Sequence, residues 1–71
     1  MYDLWVVKYR GGKYFFGELK QSPTIMPLPE LTDITDPDAV GVIIQDGDTG
    51  QVLEQRFTNE EHRIGFFRKG R

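Results

Sequence analysis

The sequence predicts an all-β fold, either a small five-stranded antiparallel barrel or a strongly bent sheet. Two pairs of strand-like runs are each joined by a glycine-containing turn, which is the pattern of β-hairpins. A proline-rich segment without helical periodicity separates the two pairs. The chain has 71 residues and no cysteine, so it fits one domain and lacks disulfides and thiolate zinc sites. We therefore treat residues 1–71 as a single small domain that depends on packing, self-association or a partner for its stability.

Residues 1–20 form the first predicted hairpin. The runs YDLWVVKY and KYFFGELK are rich in aromatic and β-branched residues, and they flank Gly11 and Gly12. A two-residue type I′ turn needs positive φ at both central positions, which glycine adopts freely. The predicted register places Tyr9 opposite Tyr14, Val7 opposite Phe16, Trp5 opposite Glu18, Val6 opposite Gly17 and Leu4 opposite Leu19.

Alternation along these two strands makes both faces of the hairpin apolar. One face, which we call the aromatic face, carries Trp5, Val7, Tyr9, Tyr14 and Phe16, and the opposite face carries Leu4, Val6, Phe15 and Leu19 with Lys8. A two-layer β domain buries only one face of its sheet. The hairpin is therefore either covered on both sides, or one face is an exposed surface that binds something.

Residues 21–38 are predicted to form a long irregular connection. All four prolines lie here, at positions 23, 27, 29 and 37, and proline removes the backbone donors that strands need. The segment around Met26 and Leu28 is extended and bounded by proline, so we expect these two apolar side chains to be hard to bury inside the domain. Connections this long are often functional in small domains.

Residues 39–57 form the second predicted hairpin. The runs AVGVIIQ and QVLEQRF flank the turn DGDTG, whose glycines and aspartates tolerate left-handed geometry. Alternating aspartates on a glycine-bent backbone also occur in calcium loops. Here the third acidic ligand and the closing glutamate are replaced by other residues, so we predict a turn and no metal site.

The C-terminal part of the chain supplies a helical turn and a fifth strand. Thr58 and Glu61 have the spacing of a capping box, which predicts one helical turn over 58–63. The run IGFFR then predicts a short strand over 64–68, followed by a frayed basic tail over 69–71.

The order hairpin, long loop, hairpin, helical turn and short strand resembles that of SH3-like small barrels, in which two hairpins pack orthogonally. The resemblance covers the order of the elements and includes no sequence motif. The acidic ligand-binding loop and paired aromatic residues of peptide-binding SH3 domains are absent, so recognition of proline-rich peptides does not follow from the resemblance. The alternative architecture is a meander sheet paired across a homodimer.

Charge is distributed unevenly along the chain, although the formal net charge is only -2. Residues 1–20 carry four basic and two acidic side chains, residues 21–55 carry seven acidic and no basic side chains, and residues 56–71 carry five basic and two acidic side chains. If the two ends meet in space, the protein has a positive and a negative side; otherwise scattered surface pairs neutralise the middle. The acidic middle could dock on a basic protein surface or occupy a phosphate-binding groove.

We expect no catalytic site and no cofactor. His62 is the only histidine, Ser22 is the only serine, and there is no thiol. A nucleophile–base pair would have to join a residue of the proline-rich connection to one of the helical turn, and no pattern in the sequence brings these two together. We interpret His62 as a side chain of a polar turn.

The sequence therefore predicts a non-enzymatic module that binds a protein partner or forms homo-oligomers. The predicted partner-binding residues are Trp5, Tyr9, Tyr14, Phe16, Met26 and Leu28. One alternative is single-stranded nucleic-acid binding through base stacking and charge, by Lys8, Arg10, Lys13, Tyr14, Arg68 and Lys69. A second alternative is an acidic, phage-type or mobile-element inhibitor of a host protein.

We expect a cytoplasmic protein without membrane contact. The apolar runs are far shorter than the roughly 20 residues that cross a bilayer. The N-terminus has no basic region followed by an apolar stretch and a cleavage site, which a secretory signal would contain.

Overall fold

Residues 1–69, which the computed structural model describes, form one four-stranded antiparallel sheet and a C-terminal helix. The elements are β1 (Tyr2–Arg10), β2 (Lys13–Ser22), a short 3-10 helix (Leu31–Asp33), β3 (Ala39–Asp46), β4 (Val52–Phe57) and α1 (Glu60–Lys69). The strands lie in the order β2, β1, β3, β4. The first and third strands are therefore central, and β2 and β4 are the two edges.

The β1–β2 hairpin has the predicted glycine turn, with φ of 59° at Gly11 and 79° at Gly12. Four predicted pairs are confirmed, namely Tyr9 with Tyr14, Val7 with Phe16, Trp5 with Glu18 and Val6 with Gly17. The fifth predicted pair is wrong. Leu4 lies opposite Lys20, because a β-bulge leaves Leu19 without a direct partner on β1.

The second predicted hairpin corresponds to β3 and β4. At its turn, Oδ1 of Asp46 accepts hydrogen bonds from the backbone N–H groups of Asp48 and Thr49, at 2.8 and 3.3 Å. Gly50 closes the turn with a φ of 77°. The residue types that resemble a calcium loop therefore serve the backbone of the turn.

The five-stranded SH3-like barrel is wrong for residues 1–69, because the sheet has four strands and stays open. The order of the strands also differs from a simple meander, since β3 pairs with β1 and not with β2. The predicted fifth strand, 64–68, belongs to α1. The predicted tail is helical at Lys69, where α1 ends, and Gly70 and Arg71 lie outside the described residues.

The N-cap of helix α1 is Asn59, one residue after the predicted cap, Thr58. Oδ1 of Asn59 accepts the N–H of His62 at 2.9 Å, which is the contact of an N-cap side chain. The N–H of Thr58 donates instead to the carbonyl of Val40, which extends the hydrogen bonding between β3 and β4 by one residue past the end of β4. The β-forming composition of the C-terminal run is overridden because a helix here covers the apolar sheet.

One face of the sheet, which we call the loop-covered face, is closed by residues 23–38, since β2 extends through Ser22. Met26 is only 9% exposed and packs in one cluster with aliphatic side chains of the two central strands. Those strand residues are Leu4, Val6, Val42 and Ile44. The expectation that Met26 resists burial is therefore wrong, and Leu28 is half-buried at the margin of the same cluster.

Two ion pairs tie the irregular segment to the sheet. Nζ of Lys8 lies 2.7 Å from Oδ2 of Asp36. The guanidinium of Arg56 lies 3.0 Å from a carboxylate oxygen of Glu30 and also donates to the carbonyl of Pro29 at 3.1 Å. The segment is thus held from both central and edge strands, although it contains little regular structure.

The opposite face, which we call the helix-covered face, is closed by α1. Phe66 is buried there against Val7 and Ile43. The ring of Phe57 lies over Gly41, its cross-strand partner, and a Cβ atom at Gly41 would overlap that ring. Strand β1 is therefore covered on both faces, whereas most of β2 stays exposed.

Candidate protein interface

The aromatic face that the sequence singles out is partly covered by α1. Phe66 packs edge-on against the rings of Tyr14 and Phe16, with centroids 6.1 and 5.9 Å apart. The imidazole of His62 lies 5.0 Å from the ring of Tyr9. The predicted residues of this face thus lie together, but much of the face is core.

Tyr14 holds the helix against the sheet. A hydrogen bond of 3.0 Å joins its hydroxyl to Nδ1 of His62. Its ring lies so close to Gly65 that a Cβ atom there would be 2.6 Å from the hydroxyl oxygen. Desolvation and the nearby Tyr9 and Glu61 raise the pKa of Tyr14. Its contacts with α1 occupy both the hydroxyl and a side of the ring.

The largest apolar exposure on the sheet lies on β2. Phe15 is 53% exposed, Phe16 is 56% exposed and Leu19 is 51% exposed. The hairpin alternation places the two phenylalanines on opposite faces, and Leu19 stands at the bulge. Within residues 1–69, no strand pairs with the outer side of β2. We call Phe15, Phe16 and Leu19, together with this unpaired side, the β2 edge.

Among the predicted partner-binding residues, only Phe16 belongs to the β2 edge. Trp5 and Tyr14 are half-buried, Met26 is core, Leu28 is half-buried, and Tyr9 is exposed beside His62. Strand alternation places Phe15 and Leu19 on one face of the hairpin but indicates no role for them. No local signal could have indicated one, because β2 becomes an edge only when β3 pairs with β1.

A cavity of about 210 Å³ opens beside Phe16, between the sheet and α1. Its walls are mainly apolar and include Trp5 and Phe66. The side chain of Gln45 also lines it, but Nε2 of Gln45 donates to the carbonyl of Gly50 at 2.9 Å. The cavity therefore suits an apolar group better than a polar one.

The residues of the nucleic-acid alternative lie on two separate elements. Lys8, Arg10, Lys13 and Tyr14 belong to the β1–β2 hairpin, whereas Arg68 and Lys69 lie at the end of α1, with the side chain of Lys69 outside the described residues. Lys8 is engaged with Asp36. Arg10, Lys13 and Lys20 are exposed and form no ion pair with any part of the described chain.

Glu18 is the only acidic residue of β2. Desolvation, a hydrogen bond with the carboxyl group of Asp3 and the charge of Asp3 raise the pKa of Glu18. Asp3 is buried in β1, and Glu18 is exposed on β2. Strand β2 thus carries Lys13, Glu18 and Lys20, a net charge of +1, and neither lysine forms an ion pair within residues 1–69.

The two candidate catalytic side chains have separate partners. Nδ1 of His62 is hydrogen-bonded to Tyr14, and the hydroxyl of Ser22 lies 3.4 Å from that of Thr24. Across residues 1–69, no group of three or more histidine, cysteine, aspartate or glutamate side chains is arranged to hold a metal ion.

The chain matches no family model, no curated protein and no solved structure. In the described part of the chain, no helix is long and apolar enough to cross a membrane.

Proposed function

We propose that this protein is a non-enzymatic protein–protein interaction module that binds its partner along the β2 edge. The observation that carries the proposal is the exposure of Phe15, Phe16 and Leu19 on one edge strand. An edge strand presents unpaired backbone N–H and C=O groups, and partners that add a strand use these groups for affinity and the adjoining side chains for specificity.

The opposite edge supports this choice by contrast. Strand β4 is shorter, and Glu54 and Gln55 are exposed at its centre. Arg56 on the same strand is tied to Glu30. Short length and charged side chains are the usual means by which proteins protect an edge from pairing. The β2 edge is longer and carries three large apolar side chains that are about half exposed, although Lys13, Glu18 and Lys20 lie on the same strand.

The energetics favour a partner that covers the whole edge. Fully burying one phenylalanine or leucine side chain contributes about 1.5–3 kcal/mol, and each of these side chains, already about half buried, gains about half of that. Association costs an estimated 4–15 kcal/mol or more in lost rigid-body freedom, before side chains are ordered. One exposed ring is therefore insufficient, whereas three apolar side chains and a row of backbone hydrogen bonds can exceed that cost.

Affinity capture from a lysate with matched baits tests this proposal. The double variant Phe15→Thr with Leu19→Thr keeps β propensity but removes two of the three apolar side chains. Ile64→Gln removes an equally large apolar side chain that is exposed on α1, outside the β2 edge. We expect the wild-type chain and Ile64→Gln to capture the same proteins, and the double variant to lose them. Circular dichroism melts verify that all three baits are folded.

Nuclease treatment separates the protein and nucleic-acid interpretations. The captured proteins should remain after nuclease digestion if they contact the β2 edge directly. Release by nuclease, or undiminished capture by the double variant, would contradict the proposed function.

A further inference from the structure

We propose that the β2 edge pairs with an extended acidic segment, in which carboxylate side chains flank a short apolar run. This inference rests on the proposed function and adds the chemistry of the partner. It follows from three properties of the edge: its uncompensated charge, the length over which it is regular, and its unsuitability for pairing with itself.

The charge on this edge is basic and unpaired. Lys13 and Lys20 stand at the two ends of the exposed apolar run, and Arg10 adds a third cation next to the hairpin turn. None of the three forms an ion pair within residues 1–69. Glu18 lies between the two lysines and is also exposed, so Arg10, Lys13, Glu18 and Lys20 together carry a net charge of +2. Complementary charge at this edge is therefore negative.

The regular part of β2 sets the length of the segment. Pairing with β1 is regular from Lys13 to Glu18, and the bulge at Leu19 interrupts it. About six residues at about 3.4 Å each extend roughly 20 Å. A partner strand of this length ends beside Lys13 and beside Glu18, and a segment that continues for two more residues reaches Lys20. Its acidic side chains therefore belong at its two ends, near the lysines, and its apolar side chains at its centre.

The apolar centre of the partner meets a hydrophobic side chain on each face of the sheet. Phe15 is available on the loop-covered face and Phe16 on the helix-covered face. The cavity of about 210 Å³ adjoins Phe16. An empty cavity of about 150 Å³ in a protein core accepts a benzene ring, so this space is large enough for one aromatic or branched side chain.

A second copy of this chain fits the edge less well. In any antiparallel pairing of two β2 strands centred on Phe16 or Gly17, Lys13 of one copy comes within one residue of Lys20 of the other. Like charges that face each other across a strand pair are destabilising. The same lysines that attract an acidic segment therefore oppose self-pairing.

Three labelled synthetic peptides test the inference by fluorescence anisotropy with the full chain. The acidic probe is acetyl-EETVFVTEE-amide, the charge control is acetyl-KKTVFVTKK-amide, and the backbone control is acetyl-EETPFPTEE-amide. We expect the acidic probe to bind at least about 10-fold more tightly than either control, since proline removes backbone donors. Its affinity should fall as NaCl is raised from about 50 to about 500 mM.

Charge reversal on the protein provides the matched variants. Lys13→Glu with Lys20→Glu should invert the preference in favour of the basic peptide, whereas Arg68→Glu on α1 should leave the acidic preference unchanged. Equal affinity for the acidic and basic peptides, or an unaltered preference in the double variant, would overturn the inference.

Two other outcomes distinguish failure of this inference from failure of the proposed function. A dimer in sedimentation experiments that is lost in the Phe15→Thr, Leu19→Thr variant would replace the acidic segment by a second copy and leave the β2 edge as an interface. Tight binding of an oligothymidylate of about ten nucleotides, without binding of any peptide, would overturn both proposals.

Discussion

Aromatic rings fit against glycines on the helix-covered face, whereas flexible and aliphatic side chains meet an irregular segment on the loop-covered face. Phe57 lies over Gly41 and Tyr14 lies over Gly65, and neither glycine has room for a Cβ atom. On the other face, Met26 fills the centre of the contact with a side chain that adapts to irregular spaces. The first face therefore depends on shape, and the second depends mainly on buried apolar area.

This difference indicates how the two covers contribute to a unique fold. Shape-dependent contacts fix α1 in one position, because small displacements cause overlap of rigid rings. On the loop-covered face, ion pairs at the margin, such as that of Lys8 with Asp36, fix the position of the irregular segment. Substitutions should consequently have larger and more position-dependent effects on the helix-covered face.

Truncating Phe66 should cause the largest loss. Its ring contacts those of Tyr14, Phe16 and Phe57. We expect Phe66→Ala to lower the free energy of unfolding by about 3–5 kcal/mol, measured by urea denaturation. Ile64→Ala, on the exposed side of α1, should change it by less than about 0.5 kcal/mol. Equal effects of the two substitutions would show that α1 does not pack as described.

Truncating Met26 tests the other face. We expect Met26→Ala to lower the free energy of unfolding by about 2–3 kcal/mol, the lower part of the range for such truncations, because an irregular segment can collapse into the space. Urea denaturation again provides the measurement. A loss larger than that of Phe66→Ala would reverse the proposed ranking of the two faces.

Replacing Gly65 by alanine should destabilise the fold, although a change from glycine to alanine usually stabilises a helix. In an exposed helix this change is stabilising by about 0.5–1 kcal/mol. Here the new methyl group overlaps Tyr14 and disturbs its hydrogen bond with His62, so we expect a loss of about 1–2 kcal/mol. The loss should be smaller in a Tyr14→Phe background, where the hydroxyl is absent, and a double-mutant cycle measures the coupling.

The ion pair on the loop-covered face should make stability sensitive to acid. The hydrogen bond from Lys8, the backbone N–H of Asp38 and the charges of Lys8 and Arg10 hold the pKa of Asp36 below its usual range. A carboxylate with a lowered pKa stabilises the fold at neutral pH, and this stabilisation is lost as pH falls through the folded-state pKa. Asp36→Asn should therefore lower Tm at pH 7, and the difference from wild type should disappear near about pH 2.

Glu18 on the helix-covered face should change stability with pH in the direction opposite to Asp36, and its effect on Tm should be the smallest of the five. Desolvation and the neighbouring Asp3 raise its pKa, so its protonated form is favoured in the folded state. That contribution is present at low pH and is lost as pH rises through the folded-state pKa. Glu18→Gln should raise Tm slightly at pH 7 and leave it nearly unchanged near about pH 3. A lower Tm at pH 7 would indicate that the charged form is the stabilising one.

Local sequence patterns were sufficient for the two hairpins. The glycines at positions 11 and 12 determine the first turn, and the register follows from it for four of the five predicted pairs. The bulge at Leu19 was not predictable, because nothing in the residue types around it requires an extra residue. The first turn of the C-terminal helix falls within the helical turn predicted over 58–63, but its continuation over 64–69 was missed because Ile64, Phe66 and Phe67 do not follow a sustained helical period. Its cover of the aromatic sheet is a tertiary effect.

The candidate site was less accessible to sequence reasoning than the fold. Alternation placed Phe16 correctly on the aromatic face, but it could not distinguish core from surface. That distinction depends on where α1 lies and on which strand pairs with β3, and both are long-range properties. Phe15 and Leu19 became candidates only after β2 was seen to be an edge.

The bulge at Leu19 also bears on whether the protein stays dispersed at high concentration. A long, flat, apolar edge is a template on which identical chains stack into fibrils. A bulge increases the local twist and breaks the regular spacing of backbone groups, so successive strands cannot stack in register along the whole of β2. The polar β4 edge faces outward at the other end of the sheet. A single partner strand could therefore pair with β2, whereas the bulge and the polar β4 edge oppose the stacking of many identical chains.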